Sequence, residues 1–221
     1  IDFMERHPRA GAAGCRLVNP DGRVQRSWFE RFPGLLSELC WGFYLHRLAG
    51  IRALSGRRPG HDDEQSDRPV SYVAGACILM KSEVVQRLGG FDRRYLIYGE
   101  DVDLCYRLHR MDLQVYYLGS VVMMHRHGAS SGRQKRTYFT AVMQKESRYR
   151  FLLAHRGAAA AVLYRLIWLS AGTARTAAGL LATAALAPVG GGRGGNALKR
   201  YLARSAHTVS WSLGLERWTL R

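Results

Sequence analysis

The chain is poor in acid. Its 221 residues hold 17 Asp+Glu against 33 Lys+Arg, a formal charge of +16. Such a balance implies anionic partners: phosphates, nucleic acid or an anionic membrane face. Cysteine is scarce too. Cys15, Cys40, Cys77 and Cys105 lie far apart, with no C-x-x-C pair, so neither a zinc site nor a disulfide framework is indicated. Each sits among apolar residues, as reduced, buried, cytosolic cysteines do. There is no initiator Met and no signal peptide at the start. Ile1 to Arg6 reads as the end of a helix already under way, so we expect an N-terminal part to precede it. A long apolar run is also missing. The longest charge-free stretch lies between Arg175 and Arg193, is mostly Ala, Gly and Thr, and contains Pro188. That is short and weakly apolar for a membrane span. No internal repeat is present.

What is there reads as alternating α and β segments. His7-Pro8 ends the first helix. Ala10 to Val18 is a small, apolar strand. Asn19-Pro20-Asp21-Gly22 is a hairpin turn, and Val24 to Phe29 its return strand. Leu35 to Leu48 has helical spacing. Ser55 to Pro69 is a long polar loop. Val70 to Met80 is a continuous apolar run, predicted as one strand buried on both faces, and Gly75 in its middle predicts a close approach to the backbone. Ser82 caps a short helix over Glu83 to Leu88, which Gly89-Gly90 ends. Leu113 to Leu118 and Val121 to Met124 read as two strands. Helices follow over Thr137 to His155 and Gly157 to Ala187. A glycine-rich linker then leads to a basic amphipathic helix over Asn196 to Leu215.

The densest chemistry is Tyr98-Gly99-Glu100-Asp101-Val102-Asp103. Three carboxylates fall straight after a glycine, and an apolar run at helical spacing follows (Val102, Cys105, Leu108). Acids at a helix start complement its dipole and cap free N–H groups. Asp103 and Arg107, four apart, form an ordinary helical pair. Taken alone, the string is a capped helix start.

Its neighbours add to this. Val73-Ala74-Gly75-Ala76-Cys77-Ile78-Leu79, Leu88-Gly89-Gly90-Phe91-Asp92, Tyr98 to Leu104, and Val121 to Met124 with His125-x-x-Gly128-Ala129-Ser130 occur in one order. So does His7-Pro8 through Gly22. Together, over roughly residues 1–155, the chain resembles the C-terminal half of a family 2 glycosyltransferase with the GT-A fold, of the rhamnosyltransferase-like group that builds bacterial cell-wall and surface polysaccharides. The resemblance implies an α/β, Rossmann-like mixed sheet followed by amphipathic helices. It also implies that the nucleotide-binding strands and the Asp-containing metal motif belong to a preceding half. Asn19-Pro20-Asp21 is not that motif, because the helix end before it and Gly22 after it fit a hairpin. On this reading the isolated chain is not a competent enzyme.

Inverting transfer from a nucleoside-diphosphate sugar is one in-line displacement. It needs a base on the acceptor hydroxyl and compensation for the departing diphosphate charge. The resemblance assigns Asp101 as base, with Glu100 placing the acceptor or orienting the base. Asp103 stays structural. It gives His125 to a divalent metal (magnesium or manganese) or to the diphosphate. Gly75, Ala76 and Cys77 line the sugar pocket, Tyr98 stacks on an acceptor sugar, and Arg133, with Lys135 and Arg136, clamps the diphosphate.

Four regions are expected: an acceptor-side catalytic part over 1–133, a membrane-associated helical region over 134–187, a linker over 188–195 and a basic helix over 196–221. The implied partners are a nucleoside-diphosphate sugar, with rhamnose one candidate, and a glycan or lipid-linked acceptor. The third is the cytoplasmic face of the bacterial membrane, met peripherally by an interfacial helix inserting Leu166, Ile167, Trp168 and Leu169. Two other readings account for the charge: a basic nucleic-acid-binding module, and a non-catalytic membrane-associated remnant. The first lacks a recognised motif and aromatics interleaved with its cations. It would line one groove with Arg and Lys, whereas transfer needs Glu100, Asp101 and His125 in one cleft.

Overall fold

The structure, a computed structural model, describes residues 1–48, 64–126, 138–186 and 193–216. It divides into two compact units, Ile1–Pro33 with Gly56–Lys135, and Gly34–Ser55 with Arg136–Arg221.

The first unit is mixed α/β. Helix α1 (Asp2–Arg6) stops at His7, whose ring stacks on Phe3 with centroids 4.0 Å apart. Strand β1 (Ala10–Val18) follows, and then a turn closed by Gly22 N–H to the Asn19 carbonyl at 2.9 Å. Gly22 has φ +81°, which is why a glycine stands there. The return strand is shorter than expected. Only β2 (Val24–Gln25) pairs with β1. At Ser27 the chain turns away, its hydroxyl donating to the Cys15 carbonyl at 2.8 Å. Strand β3 (Trp28–Phe29) then joins a separate two-stranded sheet.

The run Val70 to Met80 is also divided. It forms β4 (Arg68–Val70), β5 (Tyr72–Val73) and β6 (Ile78–Met80). Strand β5 pairs with β3, whereas β4 and β6 belong to the main sheet. Between β5 and β6, Gly75-Ala76 forms a turn, with Cys77 N–H directed at the Ala74 carbonyl. An apolar run carries no signal for such a break beyond the glycine. Helix α3 (Ser82–Leu88) has Lys81 rather than Ser82 at its N-cap and ends on Gly89 at φ +74°. Helix α4 (Glu100–Arg110) carries the acids, and the two predicted strands after it are one, β7 (Gln114–Met124). A register shift between the partners of Cys15 and Arg16 absorbs residues 119–121.

The main sheet runs β2-β1-β7-β4, with β6 also on β1. Strands β1 and β7 are parallel and central, and the other pairs are antiparallel. One core packs Trp28, Val73, Leu108, Val115 and Tyr117, while Met4, Ala10, Ala13 and Leu118 form a smaller one. The small residues of β1 have a steric reason. A Cβ on Gly11 would stand 2.8 Å from the Leu108 side chain, and one on Gly14 2.7 Å from that of Val73.

The second unit is helical: α2 (Leu35–Gly42), α5 (Phe139–Arg156), α6 (Ala158–Leu186) and α7 (Arg193–Ser212). The predicted helix to Leu48 stops early. Tyr44 takes φ +58°, and a 3-10 turn over Leu45–Arg47 follows. Buried acids organise the unit. Glu38 meets Arg148 Nε at 3.4 Å and accepts from Trp168 Nε1 at 3.2 Å. Glu146 meets Arg150 Nε at 2.8 Å and accepts from Trp211 Nε1 at 3.0 Å. Trp168 is thus buried rather than available for insertion. Of the predicted linker over 188–195, residues 188–192 lie outside the described residues, and 193–195 already belong to α7, which begins at Arg193. Among the described residues no helix is long and apolar enough to cross a membrane.

Candidate active site

The site grows from the start of α4. Tyr98 and Gly99 both take left-handed backbone, at φ +66° and +83°. For tyrosine this conformation is sparsely populated, and such residues gather where a fold must aim a group. The paired kinks turn the chain into α4 with Glu100 and Asp101 in its first turn.

Asp101 is pinned through both oxygens. Oδ2 accepts the Gly75 N–H at 2.9 Å, and Oδ1 accepts the Val102 N–H at 2.8 Å. The close approach predicted at Gly75 is therefore this carboxylate: a Cβ on Gly75 would lie 3.4 Å from that of Asp101. Burial raises the Asp101 pKa above the usual carboxylate range, against the pull of these N–H groups. Burial also raises Glu100, and the Asp101 charge adds to it. Glu100 Oε2 is buried with no hydrogen-bond partner among the described residues. A pinned carboxylate beside one with an unmet acceptor, both shifted toward basicity, is suited to accepting a proton.

Asp103 has a different environment. It is fully buried and ion-paired with Arg107 Nε at 2.7 Å. Arg107 also donates to the carbonyls of Leu88 at 2.9 Å and Gly90 at 2.8 Å. Arg107 thus joins α4 to the end of α3.

Cys77 is half-buried on the turn that carries Gly75, and Ala76 is exposed there. Burial, with Cys77 as hydrogen-bonding neighbour, pushes the Cys15 thiol up to about 12. Burial pushes the Cys105 thiol up to about 12 as well. Neither is a reactive thiol at neutral pH.

His125 stands at the end of β7. Its N–H donates to the Val18 carbonyl at 2.8 Å, and its Nδ1 meets Gln25 Oε1 at 2.9 Å. Gln25 Nε2 returns to the His125 carbonyl and donates to Asn19 Oδ1 at 2.8 Å. The hairpin therefore orients the histidine, a role for Gln25 that no sequence motif signals. His125 lies at the carboxyl ends of the two parallel strands, where open α/β sheets place their ligands. Among the described residues no three His, Cys, Asp or Glu side chains gather as a metal would require. These residues alone do not build a metal site. Arg133, Lys135 and Arg136 lie outside the described residues. A cleft of about 410 Å³ lies elsewhere in the unit, lined by Glu30, Arg31, Arg68, Pro69, Val70, Ser71 and His109. His109 is on the last turn of α4, the end opposite Asp101.

A mixed sheet followed by helices, with an acid pair on the helix between a Gly-Ala turn and a terminal strand, is a GT-A-like arrangement. Residues 50–149 match the model of the glycosyltransferase like family 2. The chain is 34% identical over 155 residues to the N-acetylglucosaminyl-diphospho-decaprenol L-rhamnosyltransferase of Mycobacterium tuberculosis, covering 69% of this chain and 48% of that protein. It is 32% identical over 123 residues to the O-antigen biosynthesis protein RfbC of Myxococcus xanthus, covering 56% of this chain and 9% of that protein. It is 29% identical over 93 residues to the rhamnosyltransferase WbbL of Escherichia coli, covering 41% and 34%. Over these stretches the chain is similar to glycosyltransferase family 2 and to its rhamnosyltransferases. It spans about half the length of the first of these relatives.

Proposed function

We propose that this chain forms the acceptor side of an inverting glycosyltransferase of cell-surface glycan synthesis. Asp101 takes the proton of the acceptor hydroxyl. The freed oxygen attacks the anomeric carbon, and the bond to the diphosphate breaks with its electron pair leaving on the diphosphate. Glu100, through its unmet oxygen, positions the acceptor. Gly75, Ala76 and Cys77 line the sugar side, and Tyr98 flanks the acceptor. His125 is turned to the diphosphate, whose charge a divalent cation would neutralise, and Arg133 is given to it by the resemblance alone. The observation that carries this reading is the Gly75 N–H bond to Asp101, which sets the base against the Gly-Ala turn.

The relatives' names point to rhamnose as donor sugar and a polyprenyl-diphosphate sugar as acceptor. From such an acceptor we infer a peripheral site of action on the cytoplasmic face of the bacterial membrane. The test is transfer from nucleoside-diphosphate rhamnose to polyprenyl-diphosphate N-acetylglucosamine, in the protein as the cell makes it. Asp101→Asn lowers turnover by roughly 10²–10⁴-fold, the usual share of a general base, with donor affinity retained. Unchanged turnover would remove Asp101 from the reaction.

A further inference from the structure

The outer face of α6 makes no demand on water. Val162, Leu163, Leu166, Leu180 and Leu181 are 55, 47, 53, 57 and 73% exposed. They lie along a helix of 29 residues, about 43 Å long. Between them the exposed positions are small, such as Ala174 and Ala177. The exposed hydroxyls are satisfied within the helix: Ser170 donates to the Leu166 carbonyl at 2.9 Å, Thr173 to that of Leu169 at 3.0 Å and Thr183 to that of Gly179 at 2.8 Å. Helix α6 has two charged residues, and both fold inward. Arg165 lies 4.3 Å over the Tyr149 ring, and Arg175 lies 4.4 Å over that of Tyr44 and donates to the Trp41 carbonyl at 3.1 Å.

Helix α7 supplies the complementary charge. It has no acid, and Lys199, Arg200 and Arg204 are exposed on it. The two helices run antiparallel, Gly172 against Thr208 and Val209, and Gly179 against Tyr201 and Leu202. That register sets Arg204 level with Ala177, and Arg200 level with Leu181. An apolar face with self-satisfied hydroxyls, on a helix packed beside a basic helix free of acid, matches the boundary between acyl chains and anionic headgroups.

We propose that α6 docks by its outer face, Val162 to Leu181, into the interfacial layer of an anionic phospholipid bilayer, with the α7 cations at the headgroups. The inference rests on the peripheral-membrane reading above and not on the transfer chemistry. It differs from the sequence expectation in the residues inserted: Trp168 stays in the core, and Leu180 and Leu181 join Leu166.

The full chain should sediment with vesicles of phosphatidylglycerol and phosphatidylcholine, and less with phosphatidylcholine alone. Leu166→Glu and Leu181→Glu should each weaken binding roughly tenfold or more. An environment-sensitive fluorophore on Leu166→Cys or Leu181→Cys should shift to the blue with phosphatidylglycerol vesicles, and less with phosphatidylcholine alone. This labelling arm stays informative if a glutamate variant misfolds. Binding that survives both glutamates, with no shift at either label, overturns the surface and leaves the peripheral reading standing. No binding by the wild type overturns both. A blue shift that depends on protein concentration without vesicles assigns the face to a second copy and also overturns the proposal.

Discussion

Gly75 and Asp101 are separated by 26 positions in the chain and joined by one hydrogen bond, backbone N–H to Oδ2 at 2.9 Å. The bond makes the Gly-Ala turn and the start of α4 one object. The carboxylate cannot change rotamer without giving up its bond to the turn.

Asp101 sets the first expectation. Burial raises its pKa, so the base form disappears as pH falls through that raised value. The acid limb of kcat/KM should therefore lie above the ordinary aspartate range. A pH–rate profile with its acid limb at or below that range would contradict the assignment. Only the limb of a proton-transfer step should vanish in Asp101→Asn.

The Asp103–Arg107 pair gives a prediction on stability. Asp103→Ala leaves Arg107 with its two carbonyl acceptors but without its paired carboxylate. Breaking a buried pair costs roughly 3–5 kcal/mol, and the two retained acceptors and the partial exposure of Arg107 put this change near the bottom of that range. Denaturant titration would measure it. A loss below about 1 kcal/mol, as for surface pairs, would show that the bond contributes little.

Packing on β1 is tested by Gly14→Ala. The added methyl would meet Val73 at 2.7 Å, and overpacking of this kind costs about 1–3 kcal/mol. Gly34→Ala is the control, because a Cβ there meets nothing within 4 Å. The two midpoints should separate clearly in thermal unfolding.

Lys145 sets a pH dependence in the helical unit. Burial first, then the charges of Arg148, Arg175 and Arg204, lower its pKa to about 7 from an ordinary 10.5, with Glu38 opposing. Its ammonium lies 4.6 Å over Trp168 and donates to the Ala141 carbonyl at 3.3 Å. Above about 7 the folded state sheds this proton while the unfolded state keeps it. Stability therefore rises with pH from 7 toward 10. Thermal midpoints between about pH 7 and 9 should climb in the wild type and flatten in Lys145→Met.

Much of the first unit was legible in the sequence, because its signals are local. The turn Asn19-Pro20-Asp21-Gly22, the stop at Gly89 and the acids opening α4 each follow from two to four adjacent residues. The misreadings come from non-local causes. Nothing within Val70 to Met80 says that β5 pairs with Trp28–Phe29 while β6 pairs with β1. Nothing in Leu35 to Leu48 marks the positive φ of Tyr44. The place of Glu100 and Asp101 at a helix start was legible from the glycine before them and the apolar spacing after, whereas their candidate roles came only from the resemblance. The partners were not, since Gly75 and Gln25 act through a backbone N–H and a side-chain amide that only the fold delivers. The inward Trp168 was hidden for the same reason: its partner Glu38 is 130 positions away.

Arg107 has a mechanical consequence. By holding Asp103 on α4 and the carbonyls of Leu88 and Gly90 at the end of α3, it removes the hinge that two consecutive glycines would otherwise supply. The acids then sit at the tip of a stiff two-helix lever. Any opening of this corner would move α3 and α4 together, with its pivots outside the pair, before Ser82 and after Arg110, and not by bending at Gly89-Gly90.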